Sequence, residues 1–184
     1  MMHPEQRASA LLQLFDTDWP LRPQALRLRL EHEADLPLLQ ALYASTRSDE
    51  LERSGWPKAQ QQAFIQQQFS AQRSHYRQHY PGAAFLVIEH DGTGIGRLYL
   101  HWGREELRLM EITLSPERRG QGIAGRLMTQ LIAWTEARAV PITLHVEPFN
   151  PAHAWYSRLG FRVIEQRGVY HFLRREAGAC SGIS

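Results

Sequence analysis

"SPERRGQGIAGRLM", residues 115–128, sets three glycines and three arginines between an apolar run and an amphipathic stretch. Ser115-Pro116 stops the strand-like "LRLMEITL" of residues 107–114, and Ile123, Leu127, Leu131 and Trp134 then recur at the spacing of one helix face. The next apolar segment is "PITLHVE", residues 141–147. Strand, glycine loop, helix and strand form a right-handed crossover, so the strands at 107–114 and 141–147 are expected to run parallel. Without β-carbons, Gly120, Gly122 and Gly125 let a pyrophosphate approach the main chain, and N–H groups around Gln121 to Gly125 point outward at the helix start. Arg118, Arg119 and Arg126 add charge where an anion would sit.

On the N-terminal side of this unit, "ALRLRLE" at residues 25–31 alternates apolar and polar and reads as a strand. "HEADLPLLQALYAST" follows with Leu38, Leu39, Leu42 and Tyr43 at helical spacing. Residues 44–57 form a polar connection, and a glutamine-rich helix runs from there to Tyr80 with Ile65, Phe69, Tyr76 and Tyr80 on one face. "AAFLVIEHDGTGIGRLYLHW" is a hairpin centred on Asp91-Gly92. Gly92, Gly94 and Gly96 are assigned to its turn and not to a phosphate cradle, because a strand follows them and a cradle needs a helix N-terminus. After residue 147 come a short helix over "NPAHAWYSRLG" and two strands, "FRVIEQ" and "VYHFLRR", around Arg167-Gly168.

At 184 residues and 43% hydrophobic content the chain suits one soluble α/β domain with a continuous core. The domain is expected over residues 25–175, with an N-terminal extension at 1–24 and a disordered tail at 176–184. No apolar run approaches the roughly 18 residues of a membrane span, and the N-terminus does not read as a secretory signal. A net charge of +2, with acids matching bases along the chain, does not indicate a nucleic-acid partner. The single cysteine, Cys180, cannot form an internal disulfide, so a reducing cytoplasm is the expected compartment. A homodimer is left open.

Two ligands fit the glycine loop. Gly120, Gly122 and Gly125 satisfy G-x-G-x-x-G, and Glu147 ends the next strand where the ribose-binding acid of a dinucleotide site would stand. Antiparallel hairpins precede the loop, however, and the chain after it is too short for a doubly wound sheet. The other ligand is coenzyme A. "RGQGIA", Arg119 to Ala124, resembles the R/Q-x-x-G-x-G/A signature of the GNAT acetyltransferase superfamily, with Arg119, Gly122 and Ala124 at the defining positions. "NPAHAWYSRLGF", Asn150 to Phe161, is similar to that superfamily's second signature. The element order β-α-α-β-β-β-α-β-α-β-β also matches, over about residues 25–175.

The resemblance implies a mixed, mostly antiparallel sheet of about seven strands whose central parallel pair splays apart to admit pantetheine. Ile112, Thr113 and Leu114 would then offer main-chain groups to pantetheine. Arg119, Gly120, Gln121, Gly122, Ile123, Ala124 and Gly125 would hold the pyrophosphate, with Asn150, Tyr156 and Arg158 also at the coenzyme. A backbone N–H near Ile112 would stabilise the oxyanion. The implied activity is transfer of the acetyl group of acetyl-CoA to a primary amine of a small molecule or a protein; a non-catalytic acyl-CoA sensor is the alternative.

A lysine-like amine with a pKa of about 10.4 must lose a proton first, at a cost of roughly 4 kcal/mol at neutral pH, so a base is useful. Tyr156 matches the family tyrosine that protonates the departing thiolate. His145, Glu111 and Glu147 are the candidate bases, His145 standing where some relatives carry a glutamate. Trp56, Tyr76, Tyr80, Tyr99 and His101 are candidate acceptor-binding residues. His75 and His79, one helical turn apart, lack an evident third ligand, and no metal is expected. Neither a G-x-S-x-G elbow nor a suitable nucleophilic cysteine is apparent, which disfavours a covalent acyl-enzyme.

Overall fold

A computed structural model of the chain describes residues 26–178 together with residues 3, 6, 7 and 9–11. The last residues of the expected tail, Cys180 among them, and residues 12–25 lie outside the described residues. Seven strands make one sheet in the order β1-β2-β3-β4-β5-β7-β6: β1 Leu26–Leu30, β2 Ala84–His90, β3 Thr93–Trp102, β4 Leu107–Leu114, β5 Ile142–Val146, β6 Arg162–Arg167 and β7 Tyr170–Arg175. The helices are α1 Leu36–Thr46, α2 Ser48–Ser54, α3 Lys58–His79, α4 Ile123–Glu136 and α5 Ala152–Arg158. Only β4 and β5 are parallel neighbours; every other pair is antiparallel. This is the mixed, mostly antiparallel sheet expected from the sequence, and not the doubly wound sheet a dinucleotide fold needs.

Strand alternation divides the core between the two faces. Leu86 and Ile88 of β2 and Leu98 and Leu100 of β3 join Leu127, Leu131 and Trp134 of α4 and Tyr156 of α5 in one cluster. Val87, between Leu86 and Ile88, points the other way, to Leu39, Tyr43, Leu51, Ile65 and Phe69 of α1 to α3. Leu11 in the N-terminal segment is fully buried in the first cluster, and the Arg7 guanidinium donates to the Trp102 and Gly103 carbonyls.

Two expectations need correction. The polar connection at 44–57 contains a helix, α2, which closes on Gly55 at φ 66°. Leu51 is its one buried residue, so no apolar periodicity marks it, although Asp49 and Glu50 in the first turn and Arg53 in the last suit the helix dipole. The hairpin turn is Asp91-Gly92 alone, with φ 49° and 76° as a tight hairpin requires. Gly94 and Gly96 belong to β3.

Candidate active site

β4 and β5 pair at only two positions, Leu107 with Ile142 and Arg108 with Thr143, and then diverge. The divergence has a local cause. Tyr99 of β3 stands opposite Glu111 while Leu100 stands opposite Leu109, so Met110 is an extra residue in β4 and forms a bulge. A bulge bends its strand and increases the local twist. Beyond it β4 pairs with β3 alone, leaving its other edge open as far as Leu114. Ser115 N–H donates to Ile95 O on the β3 side at 2.8 Å. By alternation Thr113 also faces β3, whereas the N–H and C=O groups of Ile112 and Leu114 face the cleft.

At the end of β4 a short 3-10 turn, Pro116–Arg118, leads into the glycine loop. Gly120 and Gly122 adopt φ 73° and 78°, the left-handed region that only glycine enters without strain. The backbone N–H groups from Gly120 through Gly125 donate to no other described residue. A β-carbon built on Gly120, Gly122 or Gly125 would meet nothing within 4 Å. A run of unpaired donors at a helix N-terminus, beside open space, fits a diphosphate. Arg119 serves the loop itself: its Nε donates to Leu114 O at 3.1 Å and its Nη2 to Ser45 Oγ at 2.9 Å. Arg118 Nη1 lies 3.3 Å from His90 Nδ1, and Arg126 is exposed.

Tyr156 and Glu111 lie on opposite faces of the sheet, near enough for the Glu111 charge to act on the Tyr156 hydroxyl. Tyr156, 7% exposed, belongs to the core cluster under α4, and its hydroxyl makes no hydrogen bond to a described residue. Burial, with the nearby Glu111 carboxylate adding to it, pushes its pKa up to about 12. Glu111 accepts hydrogen bonds from Gln72 Nε2 and Tyr76 OH, both at 3.0 Å, and lies 3.6 Å from Arg97 Nη2. Arg97 is 1% exposed and its Nε has no partner. His145 faces the same side of the sheet as Glu111 but from β5, against the Phe172 ring at 5.0 Å. Desolvation lowers its pKa, with Arg108 and Arg167 adding to the effect, which favours the neutral ring. At the rung where the strands part, Arg108 Nε and Thr143 Oγ1 are buried without partners.

The remaining candidates separate. Asn150 accepts from Ala152 N–H at 2.9 Å in the turn that leads into α5; Arg158, at the end of that helix, is exposed. Tyr76, Tyr80, Tyr99 and His101 form one edge-to-face chain with centroid spacings of 6.3 Å for Tyr76–Tyr99, 6.1 Å for Tyr76–Tyr80 and 5.3 Å for Tyr80–His101. Within it Tyr99 is 4% exposed. Its hydroxyl donates to Glu31 at 2.6 Å. Trp56 stands apart, against Phe64. His75 and His79 stack at 4.2 Å, and among the described residues no three His, Cys, Asp or Glu side chains gather as a metal site.

A cavity of about 570 Å³ lies between the α1–α2 junction and α2 on one wall and Glu147 and Tyr170 on the other. Of its lining, Arg47, Asp49, Glu50, Arg53 and Tyr170 are missing from the sequence-based candidates, as are Gln72 and Arg97 behind Glu111. Nothing in the sequence marks them, since all are ordinary polar residues that the sheet and the α2 turn bring together.

The Acetyltransferase (GNAT) family model matches residues 39–161, and the chain belongs to this family of acetyl-CoA-dependent acetyltransferases. The PaiA N-acetyltransferase from Thermoplasma acidophilum, solved in complex with coenzyme A, superposes with a TM-score of 0.62 at 18% identity, covering 83% of this chain and 99% of that one. An acetyltransferase from Thermus thermophilus gives a TM-score of 0.59 at 18% identity, over 82% and 96% of the two chains. PH1933 from Pyrococcus horikoshii OT3 gives 0.59 at 17%, over 82% and 98%. Among curated proteins none matches. No helix is long and apolar enough to cross a membrane among the described residues.

Proposed function

We propose that this protein is an N-acetyltransferase that moves the acetyl group of acetyl-CoA directly to a primary amine. The observation that carries the reading is the pairing of an open β4 edge with a run of unpartnered N–H groups from Gly120 through Gly125, one beside the other. Residues 120–125 hold the diphosphate, and Ile112 together with the Leu114 N–H offers the pantetheine arm a main-chain edge, the Leu114 carbonyl being engaged by Arg119. Bound acetyl-CoA supplies the thioester. The Ile112 N–H, turned into the cleft, is placed to steady negative charge on the acyl oxygen.

Tyr156 is the acid for the leaving thiolate, since a hydroxyl whose pKa is pushed up to about 12 keeps its proton at any working pH. Glu111 is favoured over His145 as the base, acting through water. Its carboxylate is fixed by Gln72 and Tyr76, and it is Glu111 that couples electrostatically to Tyr156. Tyr76, which donates to Glu111, is in turn packed against Tyr80, and Tyr80 against His101.

Thiol release from acetyl-CoA over a panel of amines tests the activity. Tyr156→Phe is expected to lower kcat by about 100-fold with little change in acetyl-CoA affinity. Glu111→Gln should cost more than His145→Ala; the reverse order would return the base to His145. Because Tyr156 stays protonated to about pH 12 while the acceptor amine deprotonates below that, the rate should climb from pH 7 to pH 9 without an alkaline fall due to Tyr156. Binding of acetyl-CoA with no acceptor-dependent release from any amine, and no effect of Tyr156→Phe, would leave a non-catalytic sensor.

A further inference from the structure

The cavity of about 570 Å³ has an uneven distribution of committed charge. Arg47 is fully engaged: it donates to Glu50 from Nε at 2.6 Å and Nη2 at 3.0 Å, and to Tyr43 OH at 3.0 Å. The side chains of Asp49, Arg53, Glu147 and Tyr170 make no hydrogen bond or ion pair with any described residue. Asp49 and Arg53 are four residues apart on α2, a spacing that ordinarily pairs opposite charges on a helix, yet they do not pair. One wall thus offers an unengaged guanidinium and carboxylate, and the facing wall offers an unengaged carboxylate and a phenol. The cavity also adjoins the transfer cleft. Glu147 follows the last residue of β5, and Ser45, one residue before Thr46 of the lining, receives the hydrogen bond from Arg119 of the coenzyme loop.

We infer that this cavity is the acceptor site and that its occupant is a small aminocarboxylate, an α-amino acid or a close relative; the inference rests on the N-acetyltransfer reading. The ammonium lies toward Glu147, on the wall that continues into the cleft, with Asp49 as its second anionic neighbour. The carboxylate lies on Arg53, where a guanidinium accepts it in bidentate fashion. Tyr170 offers a neutral hydrogen bond. A simple alkylamine would leave Arg53 without an anion, and a dianion would confront Asp49, Glu50 and Glu147; both are rejected by unpaired or like charge. The ammonium first sheds one proton to solvent. The amine nitrogen then bonds to the acyl carbon as the carbon–sulfur bond breaks; its second proton leaves through water to Glu111, and the thiolate takes the proton of Tyr156, which regains one from solvent.

The test uses the full chain, acetyl-CoA, and a set of proteinogenic α-amino acids, each beside its own carboxamide and the alkylamine lacking the carboxyl group. Thiol release should occur with at least one amino acid, and its carboxamide should lose about tenfold or more in kcat/KM. Arg53→Gln should raise KM for that amino acid by about tenfold or more, leave KM for acetyl-CoA unchanged and erase the preference over the carboxamide. Arg53→Lys should restore part of the preference. Alkylamines or carboxamides turned over as well as the acids would overturn the acceptor assignment while leaving N-acetyl transfer intact. So would an Arg53→Gln variant that shifts acetyl-CoA affinity instead. Should no amine release thiol, calorimetry of the same amino acids with the CoA-saturated protein reads the cavity directly. Binding lost in Arg53→Gln would uphold the site although the transfer reading had failed, and no binding would end both.

Discussion

A β-carbon at Gly96 would lie 2.5 Å from Thr113 O and 2.9 Å from Leu114 Cδ2, whereas at Gly120, Gly122 or Gly125 it would meet nothing within 4 Å. The two glycine groups look alike in the sequence, at positions 92, 94 and 96 and at positions 120, 122 and 125. In β3 glycine is required because two strands and a helix approach the backbone: a β-carbon on Gly94 would lie 2.5 Å from Leu38 Cδ2, and Gly96 faces β4. In the loop nothing in the protein crowds the backbone. Its glycines leave open space, which suits the diphosphate proposed there, and Gly120 and Gly122 adopt left-handed turns. A glycine whose absent side chain would strike the chain itself marks packing, and one whose absent side chain would point into vacant space beside unpaired donors marks a ligand.

Substitutions at each group separate these uses. The largest effect is expected from Gly122→Trp, which should weaken acetyl-CoA binding by more than about 100-fold in calorimetry while costing the fold only about 1–2 kcal/mol of left-handed backbone strain. Affinity retained in that variant would mean that the loop does not hold the diphosphate. Gly96→Ala should do the opposite and destabilise the domain by about 2–3 kcal/mol, visible as a fall in Tm, because a carbonyl oxygen cannot withdraw from the added methyl. Gly94→Ala should cost less, below about 1.5 kcal/mol, since the atom in its way is the end of a flexible leucine. The smallest effect divides the two uses most sharply. Gly125 lies in the first turn of α4 with open space around it, so Gly125→Ala should raise stability by about 0.5–1 kcal/mol while still weakening coenzyme binding. A variant that gained stability and affinity together would break the distinction.

Much of this architecture was legible because it depends on local rules. Asp91-Gly92 announces its hairpin, Ile123 to Trp134 announce a helix with one buried stripe, and the crossover through residues 115–140 predicts the parallel pair. The short α2 was not legible, since a single buried leucine gives no period. The role of Arg119 was also hidden. Sequence places it beside an anion site, but its side chain turns back to brace Leu114 and Ser45. The candidate acceptor residues show a similar division. Tyr76, Tyr80, Tyr99 and His101 do meet, although Tyr99 is core, while Trp56 joins Phe64 elsewhere.

Residue order by itself determined the elements, the succession of strands and helices, and the loop whose glycines and helix start suit a diphosphate. These follow from side-chain period and backbone freedom within short windows of chain. Only the tertiary structure decided that β4 and β5 part after two rungs, that Glu111 comes within electrostatic reach of Tyr156, and that Asp49 and Arg53 face Glu147 across a cavity. Those facts depend on a bulge at Met110 and on contacts between segments about a hundred residues apart, which no local pattern encodes, because main-chain donors are the same in every residue and a charge acquires its role from what stands opposite it.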